Sequence, residues 1–67
     1  MMNHGDQLIR DVTAASLLDV SVTTFRSYVA RGLMPKPRML GRRRRWVMSE
    51  ISQALRALTQ PEQEHGS

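Results

Sequence analysis

Between Gly32 and Arg38 the chain reads Gly-Leu-Met-Pro-Lys-Pro-Arg, and no regular helix can run through that segment. Pro35 and Pro37 each hold φ at about −65°, each lack a backbone donor, and each push the preceding residue toward extended backbone. Gly32, just ahead of them, accepts the left-handed conformation that ends helices. The segment must be a stiff, extended connector that divides the chain into two parts of different character. In 67 residues there is room for one core and one working surface. Without cysteine, that core is held by apolar packing alone or with a bound partner, because disulfides and thiolate metal sites are excluded.

Ahead of the connector the spacing is helical. Met1 to Gln7 is polar and aperiodic, so residues 1–7 are expected to be a flexible start, and His4 within it has no evident role. Leu8, Val12, Ala15 and Leu18 then recur at three-to-four spacing, which predicts a short helix ending near Leu18 with Asp11 as its cap. Asp19-Val20-Ser21 reads as a tight turn: Asp tolerates a left-handed backbone, Val20 plugs the angle, and Ser21 is placed to cap a second helix. That helix buries Val22, Phe25 and Val29, presents Thr23, Thr24, Arg26, Ser27, Ala30 and Arg31 outward, and stops at Gly32. Two short helices joined by so short a turn have the helix-turn-helix layout, in which the second helix enters the major groove of DNA.

Beyond the connector the pattern changes. Arg38-Met39-Leu40 and Arg44-Arg45-Trp46-Val47 are strand candidates flanking a Gly41-Arg42-Arg43 turn, a small β-hairpin whose alternation is blurred by four consecutive arginines. A third helix follows with Met48, Ile51, Leu55 and Leu58 on one face and Ser49 near its start, and Pro61 ends it ahead of a polar tail at 60–67. Trp46 is expected to anchor the hairpin against the core beside Phe25 rather than to stack on a base. The methionines serve as core filler and loop contacts. The fold class is therefore mainly α with a small hairpin, in one domain over 8–59.

Charge is distributed unevenly along this framework. No Asp or Glu occurs between Asp19 and Glu50, and that interval holds Arg26, Arg31, Lys36, Arg38, Arg42, Arg43, Arg44 and Arg45, a local charge of +8. The rest of the chain has two basic residues against six acidic ones, or −4. Such a centre is built to face a polyanion, and seven of its eight charges are arginines, whose planar fork suits phosphate oxygens and guanine edges. A merely solvated basic loop is the competing reading of the arginine run.

The ordered parts resemble the AlpA-like and excisionase-like branch of the MerR superfamily of small regulators. The resemblance is carried by Leu17-Leu18-Asp19-Val20-Ser21-Val22-Thr23-Thr24-Phe25, by Gly32-Leu33-Met34-Pro35-Lys36-Pro37, by Leu40-Gly41, and by Trp46 followed by the Ile51 helix. It covers about Leu8 to Leu58. Two positions depart from the pattern: Asp19 stands where Gly is usual, and Val47 stands where a polar helix cap is common. The resemblance implies a winged helix-turn-helix with three short helices and the wing between the second and third. It implies that Thr23, Thr24, Arg26 and Ser27 of the second helix read base edges while Arg42 to Arg45 lie along the backbone, Arg42 and Arg43 being the favoured pair. Ser21, Tyr28, Arg31, Lys36 and Arg38 complete the expected DNA-binding set, with the Tyr28 ring packed and its hydroxyl reaching a phosphate.

An excisionase is the leading function that the resemblance implies: a recombination directionality factor that binds and bends attachment-site DNA and helps an integrase act in the excision direction. The preference over an AlpA-like transcriptional regulator rests on the absence of an appended effector or dimerisation segment. A protein-docking adaptor built on the arginine segment ranks third. Double-stranded DNA and an integrase are the partners, with a monomer in solution assembling head to tail on DNA. Catalysis is not expected, since the two histidines lie in the polar ends and no carboxylate pair or phosphate-cradling glycine loop is present, and neither cofactor nor metal is expected. No apolar run approaches the roughly 18 residues of a membrane span and no secretory signal is evident, so a cytoplasmic bacterial or phage protein is expected.

Overall fold

A computed structural model describes residues 7–59, and the features expected at 1–6 and 60–67, including His4, Pro61 and His65, lie outside the described residues. Three helices and a small three-stranded antiparallel sheet share one core. The chain runs β1 (Leu8–Ile9), α1 (Asp11–Leu18), α2 (Val22–Ala30), β2 (Arg38–Leu40), β3 (Arg43–Val47) and α3 (Met48–Thr59), with strand order β1-β3-β2.

Helices α1 and α2 end alike. Asp19 takes φ 58°, the Asp19 N–H donates to the Ser16 carbonyl and the Val20 N–H reaches back to Ala15, both at 3.0 Å. Gly32 takes φ 79°, and the Gly32 and Leu33 N–H groups donate to Val29 and Tyr28 at 3.1 and 2.8 Å. Each is a Schellman closure, which satisfies the last carbonyls and needs one left-handed residue. Asp fills that position after α1 because its short polar side chain tolerates the conformation better than most. Between the two closures, the Ser21 hydroxyl accepts the Thr24 N–H at 3.1 Å and so caps α2 as its spacing predicts. Ser21→Ala should therefore lower stability by about 1 kcal/mol, seen as a lower midpoint in chemical denaturation with an unchanged slope. An unchanged midpoint would show that the cap is replaced by water.

The start of α1 departs from expectation. Leu8 is not helical but pairs with Val47 in β1, and Ile9 pairs with Trp46. Val12 is about half exposed, and the buried face of α1 is instead Ala14 and Ala15, with Leu18 packed alongside. Two alanines let the helix backbone approach its neighbours closely, which a larger residue at either position would prevent. Arg10 occupies the N-cap position, and Asp11, expected there, lies in the first turn and accepts the Val12 N–H at 2.7 Å.

The hairpin is tighter than expected. Leu40 pairs with Arg43, so the connection is the two residues Gly41 and Arg42, and Arg43 belongs to β3 rather than to the turn. Gly41 has φ 66° while Arg42 keeps a negative φ, the signature of a type II′ turn, whose twist matches that of the flanking strands. A further surprise follows the hairpin. β3 passes into α3 without a connecting residue, and Ser49 sits inside the first turn rather than capping it. The Met48 N–H donates to the Gln7 carbonyl at 2.9 Å. Gln7, expected at the end of a flexible start, thus serves one of the free donors of α3, the first, while Val47 offers no side-chain cap to the next two.

Ile9, Ala14, Ala15, Phe25, Met34, Trp46 and Ile51 form the core, and every element except β2 contributes to it. Phe25 and Trp46 meet edge to face with ring centroids 5.0 Å apart, and the Trp46 Nε1–H donates to the Pro35 carbonyl at 2.9 Å. That single side chain ties the hairpin both to α2 and to the proline connector. On α3 the packed residues are Ile51, Ala54 and Leu55, while Leu58, expected on the same face, is largely exposed. Among the described residues no helix is long and apolar enough to cross a membrane.

Candidate nucleic-acid interface

The register of the hairpin sets the direction of every arginine on it. Residues directly opposite each other across an antiparallel ladder point to the same face, and neighbours along a strand alternate. Arg38 opposes Arg45, Met39 opposes Arg44 and Leu40 opposes Arg43. Arg38, Arg43 and Arg45 therefore share one face with Leu40, and Arg44 shares the other with Met39 and the inward-facing Trp46. Arg42 stands in the turn. Alternation thus splits the run, but it separates Arg43 from Arg44 rather than grouping the first two arginines against the last two.

A shallow groove runs from this hairpin to the start of α1, lined by Arg10, Asp11, Arg42, Arg43, Arg44, Arg45 and Trp46. Arg10 was not expected at this surface, since it belongs to the acidic flank of the sequence. Pairing of β1 with β3 brings it there, and a two-residue strand leaves no periodicity by which to find it. Asp11 is the one carboxylate in the lining, and it is engaged elsewhere: Arg26 Nη2 from α2 lies 2.8 Å from its Oδ2. The Arg26 guanidinium, through that hydrogen bond, holds the Asp11 carboxyl below its ordinary value; burial opposes the shift, and the Val12 N–H adds to it. With the folded value depressed, the pair stabilises at neutral pH and loses that contribution as acidification passes through the lowered value. Arg26 is 63% exposed, so the contribution is small.

The second ion pair of the described residues joins Arg38 Nη2 to Glu50 Oε2 at 2.6 Å and anchors β2 to the first turn of α3. Arg38 is thereby held even more firmly in its charged form. No carboxylate of the described residues lies within ion-pair reach of Arg42, Arg43, Arg44 or Arg45.

On α2 the expected residues divide. Thr23, Arg26 and Ser27 are exposed, whereas Thr24 is half-buried and exchanges hydrogen bonds with Ser21, at 3.1 Å through its N–H and 3.0 Å through the two hydroxyls. The first duty of Ser21 and Thr24 is thus the helix cap. Tyr28 and Arg31 line a different, mostly apolar cleft with Leu18, Val20, Leu33, Leu55, Leu58 and Thr59. Arg31 lies about 140° around the helix from Arg26, so the two are not brought together. Lys36 is exposed in the connector between the two prolines. The groove gathers Arg10, Asp11 and Arg42 to Arg45, with Arg26 tied to its edge through Asp11, and leaves Tyr28, Arg31 and Lys36 off it.

No family model, curated protein or solved structure matches this chain.

Proposed function

We propose that the chain is a winged helix-turn-helix protein that binds double-stranded DNA. In this reading α1, the turn at Asp19 to Ser21 and α2 form the helix-turn-helix, α2 lies in the major groove, and the hairpin from β2 to β3 is the wing. One observation carries the proposal. Arg38 and Arg45 sit directly opposed with Arg43 on the same face, and nothing among the described carboxylates neutralises the four arginines from 42 to 45. Like charges directly opposite destabilise a ladder. Glu50 offsets Arg38 from within the chain, whereas the four arginines from 42 to 45 have no such partner among the described residues, and a line of phosphates is a partner able to neutralise them.

Within that surface Arg26, Thr23 and Ser27 are the side chains placed to reach base edges, and the hairpin arginines with Arg10 hold the backbone. Arg26 must exchange Asp11 for a base or phosphate, a contact weak enough to give up. The resemblance of the sequence favours a recombination directionality factor over an AlpA-like transcriptional regulator, and an excision assay with a cognate integrase separates the two.

The DNA reading is tested by titrating labelled duplexes over a range of salt. The logarithm of affinity should fall linearly with log salt, by about 0.9 per phosphate neutralised. Arg26→Ala should change the order of preference among duplexes. A flat salt response sinks DNA binding, and uniform weakening by Arg26→Ala removes α2 as the reader.

A further inference from the structure

We infer that Leu40 is a wedge that inserts between base pairs at the tip of the hairpin, so that the chain kinks the duplex it binds. The inference rests on the DNA-binding reading and adds to it the residue and the local unstacking by which the duplex would bend. Met39 and Leu40 are the two most exposed large apolar residues of the described chain, at 60% and 57%. Neither packs on anything that accounts for its presence: β2 is exposed along its whole length and gives nothing to the core. Each apolar side chain instead faces an arginine across the ladder, Met39 with Arg44 and Leu40 with Arg43. An arginine stem can cover apolar surface, yet Leu40 stays more than half exposed beside Arg43.

Leu40 is the one that borders the turn. Gly41 follows it without a side chain, so the first turn position adds no group beside Leu40. A protruding apolar group beside Arg43 and Arg45, neither of which pairs with a described carboxylate, matches a target that is anionic outside and apolar within. A base step between phosphates is such a target, and apolar wedges that partly unstack it are a recognised way of bending DNA toward the major groove. An anionic membrane has the same two qualities. The ribbon argues against it, because Met39 and Leu40 point to opposite faces and cannot enter a bilayer together, whereas membrane binding calls for a broad apolar face.

The test uses the full chain and duplexes carrying 2-aminopurine within TA and CA steps, which unstack most easily. The wild-type chain should raise 2-aminopurine fluorescence and shorten the end-to-end distance of a doubly labelled duplex. Leu40→Ala, an exposed substitution that leaves the core intact, should lose both signals while its affinity stays within about tenfold, since phosphate contacts dominate binding. Met39→Ala, one step back from the tip on the other face, should keep both. Unchanged unstacking and bending in Leu40→Ala overturn the wedge, as does wild-type binding without unstacking at any step; in either case DNA binding itself stands. Salt-independent or absent duplex binding overturns both readings. Leu40-dependent sedimentation with phosphatidylserine vesicles, without unstacking of DNA, assigns the tip to a membrane and overturns the wedge.

Discussion

Phe25→Ala is expected to leave the chain largely unfolded at room temperature. Phe25 is fully buried and is the largest side chain that α2 gives to the core, meeting the Trp46 ring edge to face at 5.0 Å. Truncating a buried Phe costs about 3–5 kcal/mol in lost transfer energy and residual cavity. A single core in a chain below about 70 residues rarely supplies more than about 3–5 kcal/mol in total. The loss is thus as large as the reserve. The site also cannot collapse readily, because Trp46 is held from the other side by its bond to the Pro35 carbonyl. Far-ultraviolet circular dichroism and amide dispersion in a proton NMR spectrum would both report the loss. Phe25→Leu, which keeps most of the volume, should cost less than about 1.5 kcal/mol and remain folded. A folded, cooperatively melting Phe25→Ala would show that the core is not organised around this pair.

Replacing Arg42, Arg43, Arg44 and Arg45 together with threonine should move binding and stability in opposite directions. If all four reach phosphates, the salt slope falls by about 0.9 for each, and affinity near physiological salt drops by roughly a thousandfold across all sequences alike. The fold should not suffer. The four side chains make no ion pair with described residues, the Arg38–Arg45 opposition is relieved, and threonine suits a strand. A thermal midpoint equal to or above that of the unaltered chain, with a shallow salt slope, is the expected pair of results. If the midpoint falls sharply while the slope is kept, the arginines are structural and the hairpin is not the backbone contact. The Arg38–Glu50 ion pair, which involves none of the four replaced residues, should persist in the variant.

Much of this molecule could be read along the chain, for reasons that are local. The two left-handed closures at Asp19 and Gly32, the Ser21 cap and the extended path around Pro35 and Pro37 are decided by φ preferences and hydrogen bonds spanning a few residues. The Trp46 anchor was legible too, since a lone tryptophan following a charged strand has few other places to bury its area. The sequence misleads where the deciding contact lies far off along the chain. The spacing of Leu8 to Val12 fits a helix, but Val47 offers Leu8 a strand partner 39 positions on. Arg43 reads as part of the turn because four like residues hide the alternation that marks where a strand begins.

The candidate surface divides in the same way. That the middle of the chain is basic and that its arginines follow a hairpin are properties of composition and order. Which arginines face together follows from register, and register follows from the two-residue turn closing Leu40 on Arg43. That Arg10 joins the groove, that Asp11 spends its charge on Arg26, and that Gln7 serves the start of α3 depend on β1 lying against β3. Local stereochemistry acts within a turn of the chain and leaves its mark on neighbouring residues. Pairing between distant segments is decided by what the whole core can bury at once, and a strand two residues long carries no mark of its partner. The sequence by itself therefore determined where the first two helices stop, that a hairpin follows the proline connector and where the positive charge gathers. Only the tertiary structure decided which of those charges share a face, because that depends on strand pairs no single segment specifies.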